Sequence, residues 1–184
     1  MRRPARQILF MPMRMGLFLY GDNMARLDSA AAGGANVLAF LDMLAWSEGT
    51  STIAASDDGY NVLVGGQLFN DYSGHPRQKV WLPSYGIHSS AAGRYQILAG
   101  TWDAIVSTYG FNGRFTPEAQ DLAAIKLLSE CGALALIKAG RIAQAIAKAA
   151  PIWASLPGAG YGQREHQLAA LLAMFIACSG EVQA

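Results

Sequence analysis

The sequence predicts an α+β fold, with one small sheet set beside a mostly helical body. Three observations carry this. Apolar residues recur at helical spacing between Asn36 and Gly49. The chain from Tyr60 to Leu82 breaks into short β-rich runs separated by turn formers. Everything after Phe111 reads as helices with recognisable start and stop signals. At 184 residues the chain is long enough for one domain with a sizeable core.

Residues 1–35 read as an extension ahead of the folded domain, which is expected to occupy residues 36–184. Arg2, Arg3 and Arg6 precede an apolar run from Ile8 to Tyr20, as in the basic and apolar regions of an export signal. Pro12 and Arg14 interrupt that run, and it is too short to cross a bilayer as an ordinary helix. Ser29 to Gly34 (SAAAGG) reads as a flexible linker. Three readings follow, in descending order. The first is a disordered or weakly helical extension. The second is a poor export or tethering signal, with transient membrane contact through residues 8–20. The third is a start codon placed upstream of the real one.

Asn36 to Gly49 (NVLAFLDMLAWSEG) reads as a helix. Asn36 is expected to cap its first turn, and Val37, Leu38, Leu41, Leu44 and Ala45 to face the core. Gly49 is a C-terminal stop, because it adopts a left-handed conformation without a Cβ clash. Glu48 sits just before that stop, where the helix end carries partial negative charge and favours a cation. Held there beside Trp46, its carboxyl group is expected to titrate high, which suits a general acid near neutral pH. On position alone a solvated surface Glu is the commoner outcome.

The next stretch is loop and short strand. Thr50 to Gly59 is polar and small. Tyr60 to Val64, the Gly65-Gly66 turn and Gln67 to Phe69 predict a β-hairpin. Asn70 to Arg77 is a turn-rich loop, Lys79 to Leu82 a third short strand, and Pro83 to Ser90 another loop. Trp81, Tyr85 and His88 fall here. Loop aromatics beside a cleft make platforms for sugar rings, although pinning a loop to the core is at least as common a role. Ala91 to Gln96 (AAGRYQ) leads into a helix expected from Tyr95, with Ile97, Leu98, Trp102, Ile105 and Val106 on its apolar face. Gly93 would allow a ligand or another backbone to approach closely. Gln96 at the helix start could donate to and accept from a sugar, or be a surface amide.

Thr116-Pro117-Glu118 combines a capping hydroxyl, proline at the first helical position and an acid at the positive end of the dipole. That helix is expected to run from Pro117 to about Glu130. Shorter helices follow over Gly132 to Lys138 and Arg141 to Ala149, the latter stopped by Pro151. Leu156 to Gly162 (LPGAGYG) is too glycine-rich for a helix and lacks the GK[ST] of a phosphate loop. Gln163 to Ala177 is expected to be the last helix.

Composition excludes several classes. A net charge of +1 gives no basic field for nucleic acid. His75, His88 and His166 stand singly and HExxH is absent, so neither metal nor cofactor is expected. Cys131 and Cys178 show no metal spacing. They are two free thiols, or a disulfide if the protein works outside the cytoplasm.

Four blocks taken together carry a resemblance: FLDMLAWSEGT, VLVGGQLFNDYSGHPR, AAGRYQIL and IWASLPGAGYGQREH. In order and spacing they closely resemble the lambda-type phage endolysins, which are lysozyme-like lytic transglycosylases. The resemblance covers roughly residues 36 to 180. It implies a small bilobal enzyme, monomeric, that cuts the β-1,4 link from N-acetylmuramic acid to N-acetylglucosamine in the glycan strands of peptidoglycan. It implies Glu48 as the catalytic acid. Lys79–Ser90 and Trp153–Gly162 would be the two lips of a substrate groove. SEG followed by GRYQ is also similar to signatures of other lytic transglycosylases. By that analogy Gln96 contacts substrate and Tyr161 lies near the glutamate. Tyr95, Tyr72, Asn61 and Trp81 complete the candidate contacts.

One departure stands out. Such enzymes often carry Tyr-Asp at the start of the hairpin, where this chain has Tyr60-Asn61. Asp71, Asp57 and Asp58 are the candidate replacements for that carboxylate. A transglycosylase can work with Glu48 alone, whereas a hydrolase would need a second acid such as Asp71. A non-catalytic wall-binding module is the rival from a different class. The resemblance further implies a phage or prophage lysis protein, made in the host cytoplasm and reaching the periplasm and cell wall at lysis. The route would be holin lesions or its own N-terminal segment.

Overall fold

A computed structural model describes residues 25–183. The apolar run of residues 8–20, and with it the reading of an export or membrane segment, lies outside the described residues. Among the described residues no helix is long and apolar enough to cross a membrane. The elements in order are α1 (Ser29–Ala32), α2 (Ala35–Ser47), a 3-10 turn (Thr50–Thr52), β1 (Val80–Leu82), β2 (Ile87–Ser89), α3 (Ala99–Tyr109), α4 (Pro117–Glu130), α5 (Ala133–Lys138), α6 (Ile142–Ala149) and α7 (Leu168–Ala177).

Helix α2 is the axis of the helical body, with α1, α4, α5 and α7 packed around it. Val37, Phe40, Leu41, Met43, Leu44 and Ala45 are all sealed from solvent. A helix apolar on every side is stable in water only when enclosed in this way. Its start corrects the sequence reading. Gly34 is the N-cap, and Asn36 lies inside the first turn. The Asn36 side chain instead bonds the far end of the chain: Nδ2 donates to Glu181 O at 3.0 Å and Oδ1 accepts from Glu181 N at 2.8 Å. Gly49 takes the expected left-handed stop, with φ +75°.

The expected linker at Ser29 to Gly34 is also corrected. Asp28 caps α1, its Oδ1 accepting from Ala31 N at 2.8 Å, and Gly33 closes it at φ +88°. The preceding arm is bound in place. Ala25 N–H donates to Asp42 Oδ1 at 2.9 Å, and the Arg26 and Leu27 amides donate to Asp121 Oδ2 at 2.7 and 3.1 Å. Ordered structure therefore reaches well upstream of residue 36, because buried carboxylates recruit these amides.

In the middle of the chain the sheet is smaller than expected and differently composed. The only ladder among the described residues pairs β1 with β2, antiparallel, with Trp81 opposite His88. Three of the eight residues expected as loop over Pro83–Ser90, Ile87–Ser89, are therefore strand. The expected hairpin at Tyr60–Phe69 does reverse at Gly65-Gly66, yet it forms only the isolated bridge Val62–Leu68. The Val64 amide leaves it to bond Ala91 O, and Leu63 bridges to Ala92. Helix α3 starts at Ala99 rather than Tyr95, because Ile97 is drawn into a bridge with Ala92.

Helix α4 begins as predicted, with the Thr116 hydroxyl accepting from Ala119 N and Pro117 at the first position. Helix α7 starts at Leu168, five residues later than expected. Two tertiary ties hold the intervening segment out of a helix. Glu165 accepts the amides of Gly158 and Gly160 at 2.8 and 3.0 Å, and His166 N–H donates to Ser155 O at 2.8 Å.

A buried polar hub joins these parts. Arg94 is fully buried and pairs with Asp42 at 2.8 Å and with Asp58 at 2.7 Å. The close approach predicted at Gly93 is real, but it admits Gln120. A Cβ there would lie 2.1 Å from Gln120 Oε1, the atom that accepts the Arg94 amide at 2.9 Å.

Candidate active site

Glu48 caps α2 and projects where two hollows meet. The larger, about 670 Å³, lies between the β1–β2 hairpin and the loop after α6. Leu82, Ile87 and His88 form one wall, Trp153, Ala154 and Tyr161 the other, and Gln96 and Leu98 lie between them. The smaller, about 420 Å³, is edged by Trp46, Thr52, Tyr85, Arg164 and His166. Glu48 and Gln163 line both, so the two hollows form one groove running past the carboxyl group.

The loop wall is fixed from several sides. Trp153 Nε1–H donates to Tyr95 O at 3.0 Å, which ties the loop to the AAGRYQ turn. The His166 ring packs on Trp46 with centroids 4.6 Å apart, and its Nε2–H donates to Ser47 O at 3.1 Å. Ser155 thereby comes to rest against the glutamate, its Oγ–H donating to Glu48 Oε1 at 2.6 Å. Burial pushes the Glu48 carboxyl up to about 7, partly opposed by the hydrogen bonds from Ser155. The direction matches the sequence expectation. The main cause is desolvation, not the helix end on which that expectation leaned.

The structure distributes the remaining sequence candidates unevenly. Gln96 and Tyr161 line the larger hollow with Glu48. Gln96 adopts φ +48°, and its Nε2–H donates to Gly93 O at 2.9 Å. The side-chain nitrogen is thus held by the backbone. Tyr161 is exposed and its Oη–H donates to Pro151 O at 2.6 Å. Trp81 is exposed on β1 and packs on His88 at 5.0 Å, but His88 is the residue of the pair that lines the groove.

The other three lie elsewhere. Tyr95 is fully buried with its Oη–H on Asp121 Oδ1 at 2.6 Å. Its expected contact with substrate is corrected to a place in the core. Tyr72 Oη–H donates to Asp57 Oδ2 at 2.8 Å, and Asn61 Oδ1 accepts from Asp57 N at 2.8 Å. Neither lines the groove.

The candidate second carboxylates are also engaged elsewhere. Asp71 is exposed and holds Ser73 N–H at 2.7 Å, Asp57 pairs with Arg26, and Asp58 pairs with Arg94. Among the described residues that line the groove, Glu48 is the only carboxylate. No group of three His, Cys, Asp or Glu among the described residues comes together as a metal site. Cys131 and Cys178 are free thiols.

Sequence reasoning missed Ser47, Ser155, Glu165 and His166. Ser155 and the two residues after the loop fall inside the IWASLPGAGYGQREH block, so the block itself was the available signal. Nothing in the local pattern singles out one hydroxyl.

Comparison with known proteins bears on the family and the fold. The family model described as Endolysin matches residues 38–182. The endolysin of Escherichia phage lambda is 50% identical over 147 residues, covering 79% of this chain and 92% of the relative. That of Escherichia phage P2 is 44% identical over 155 residues, covering 79% and 93%. The solved bacteriophage lambda lysozyme complexed with a chitohexasaccharide superposes with a TM-score of 0.75 at 45% identity, covering 87% of this chain and all of the other. A second lambda lysozyme structure gives 0.74 at 46% identity, covering 82% and 97%. With a lysozyme-like α+β fold and a family match spanning nearly all the described residues, the chain belongs to the endolysin family.

Proposed function

We propose that this endolysin degrades bacterial peptidoglycan as a lytic transglycosylase, cutting the β-1,4 bond from N-acetylmuramic acid to N-acetylglucosamine. The observation that carries the reading is that Glu48 is the single carboxylate among the described residues lining the groove. Two-carboxylate glycosidases place the second acid roughly 5–10 Å from the first, flanking the same bond. Here Asp57, Asp58 and Asp71 are all engaged outside the groove.

One carboxyl group suffices when the nucleophile belongs to the substrate. Protonated Glu48 gives its proton to the bridging oxygen as the bond to the muramic anomeric carbon breaks. The N-acetyl group of that sugar stabilises the electron-poor carbon. The Glu48 carboxylate then takes the proton of the C6 hydroxyl as its oxygen closes on the same carbon, leaving a 1,6-anhydro ring. Holding that hydroxyl in place substitutes for a second carboxylate and an activated water. A pKa near 7 keeps the group partly protonated at neutral pH and makes it a competent base once the proton is gone.

The glycan strand runs along the groove past Gln96 and Tyr161. In this reading the protein acts as a monomer, is made in the host cytoplasm, and meets its substrate at lysis. That a relative of the same fold was solved complexed with a chitohexasaccharide supports a glycan ligand.

The test is mass spectrometry of muropeptides after digestion of purified peptidoglycan, with Glu48→Gln in parallel. Anhydro-muramic ends from the wild type alone are expected. Reducing ends would make the enzyme a hydrolase, and no products from folded protein would leave a wall-binding module.

A further inference from the structure

In the reading above Glu48 must first release a proton and later accept one, and the inference here rests on that reading. Ser155 is fixed against the carboxyl group from three directions. Its Oγ–H donates to Glu48 Oε1 at 2.6 Å. Its Oγ lies 3.0 Å from Ser47 Oγ, whose one proton serves either Ser155 Oγ or Leu44 O, the latter at 2.8 Å. Its carbonyl accepts the His166 amide at 2.8 Å, while the His166 ring donates to Ser47 O.

A hydroxyl carries one proton and two lone pairs. While Ser155 donates into Oε1, that oxygen acts as an acceptor, and the titrating proton belongs on Oε2. When the proton leaves, the same hydrogen bond strengthens, because its acceptor is now charged. No heavy atom has to move between the two states.

We propose that Ser155 is a positioning residue of the reaction: its hydroxyl, steadied by Ser47, holds the acidic proton on the far oxygen of Glu48 and stabilises the carboxylate left behind. The proton passes from Oε2 to the bridging oxygen, which keeps the electron pair of the broken bond. The carboxylate later takes the C6 hydroxyl proton as the new carbon–oxygen bond forms. Ser155 gains and loses nothing over the cycle.

The experiment measures kcat and KM against pH on purified glycan strands for wild type, Ser155→Ala, Ser155→Thr, Ser47→Ala and Glu48→Gln. Ser155→Ala is expected to lower kcat about tenfold with little change in KM. It should also move the alkaline limb of kcat upward by about one pH unit, because a donor favouring the ionised form has gone. Ser155→Thr restores most of the rate and the wild-type limb, and Ser47→Ala moves the limb in the same direction by less. An unmoved limb in a folded Ser155→Ala enzyme overturns the proposal. Should Ser155→Ala fail to fold, an unmoved limb in Ser47→Ala overturns it equally. An active Glu48→Gln enzyme would instead overturn the role of Glu48, so the two failures are distinct.

Discussion

The guanidinium of Arg94 lies 2.8 Å from the carboxylate of Asp42, with both side chains inside the protein. Burial raises the Asp42 carboxyl to about 6 in spite of that neighbour. The pair is therefore held against a substantial desolvation cost, and its worth lies mainly in neither charge being left alone. Arg94→Met would strand Asp42 and Asp58 together. We expect it to lower unfolding stability by about 3–5 kcal/mol, read by urea denaturation. A loss under about 1 kcal/mol would show that the pair is dispensable.

The position of Glu48 sets a pH dependence on stability. A solvated glutamate carboxyl titrates near 4.5, as in the unfolded chain, and that of Glu48 sits at about 7 in the folded one. Between those values the folded state holds a proton that the unfolded chain has lost. The associated stability is present below pH 4.5 and is lost as pH rises through 7. Glu48→Gln keeps the shape and removes the titration. It should melt higher than wild type at pH 8, by on the order of 2–3 kcal/mol, and close to wild type at pH 4. Equal melting at pH 8 would contradict burial as the cause of the shift.

The Ala25–Leu27 arm should matter to folding although it precedes every helix among the described residues. Chains beginning at residue 24 and at residue 28 differ by two amides on Asp121 and one on Asp42. The shorter chain is expected to lose about 2–4 kcal/mol, since buried carboxylates lose charge-assisted donors. Thermal melting of the two truncations checks this, and coincident curves would rule it out.

Glu165 gives a way to loosen one wall of the groove without touching the chemistry. Its carboxylate gathers the Gly158 and Gly160 amides, which keeps its own pKa below the usual range. Glu165→Ala frees the loop that bears Tyr161. We expect KM to rise roughly three- to tenfold with kcat nearly unchanged. A fall in kcat at constant KM would show that Glu165 acts through Ser155, by way of His166, and not on the wall that bears Tyr161.

What the sequence made legible follows the range of the interactions involved. Thr116 and Pro117 start α4 by contacts within one turn, and those were readable. The apolar spacing of α2 and the left-handed stop at Gly49 are equally local. Asn36 and Tyr95 went astray because their partners are distant. Asn36 serves residue 181 and the Tyr95 hydroxyl serves Asp121. Glu48 could be named from the blocks around it. Ser155, 107 positions away in sequence, could be connected to it only through the fold.

The bond between Asn36 and residue 181 has a bearing on how the enzyme is made. Helix α2 carries Glu48 at one end and Asn36 at the other, and α7 lies along it with Leu171 and Phe175 fully buried. Until residues 168–181 have emerged from the ribosome, the most extensively buried helix of the core lacks part of its cover. A nascent chain that already contains the groove-lining residues therefore cannot yet enclose the helix that aims Glu48. Assembly of the catalytic machinery is in this sense a late event of synthesis, gated by the closing of the core.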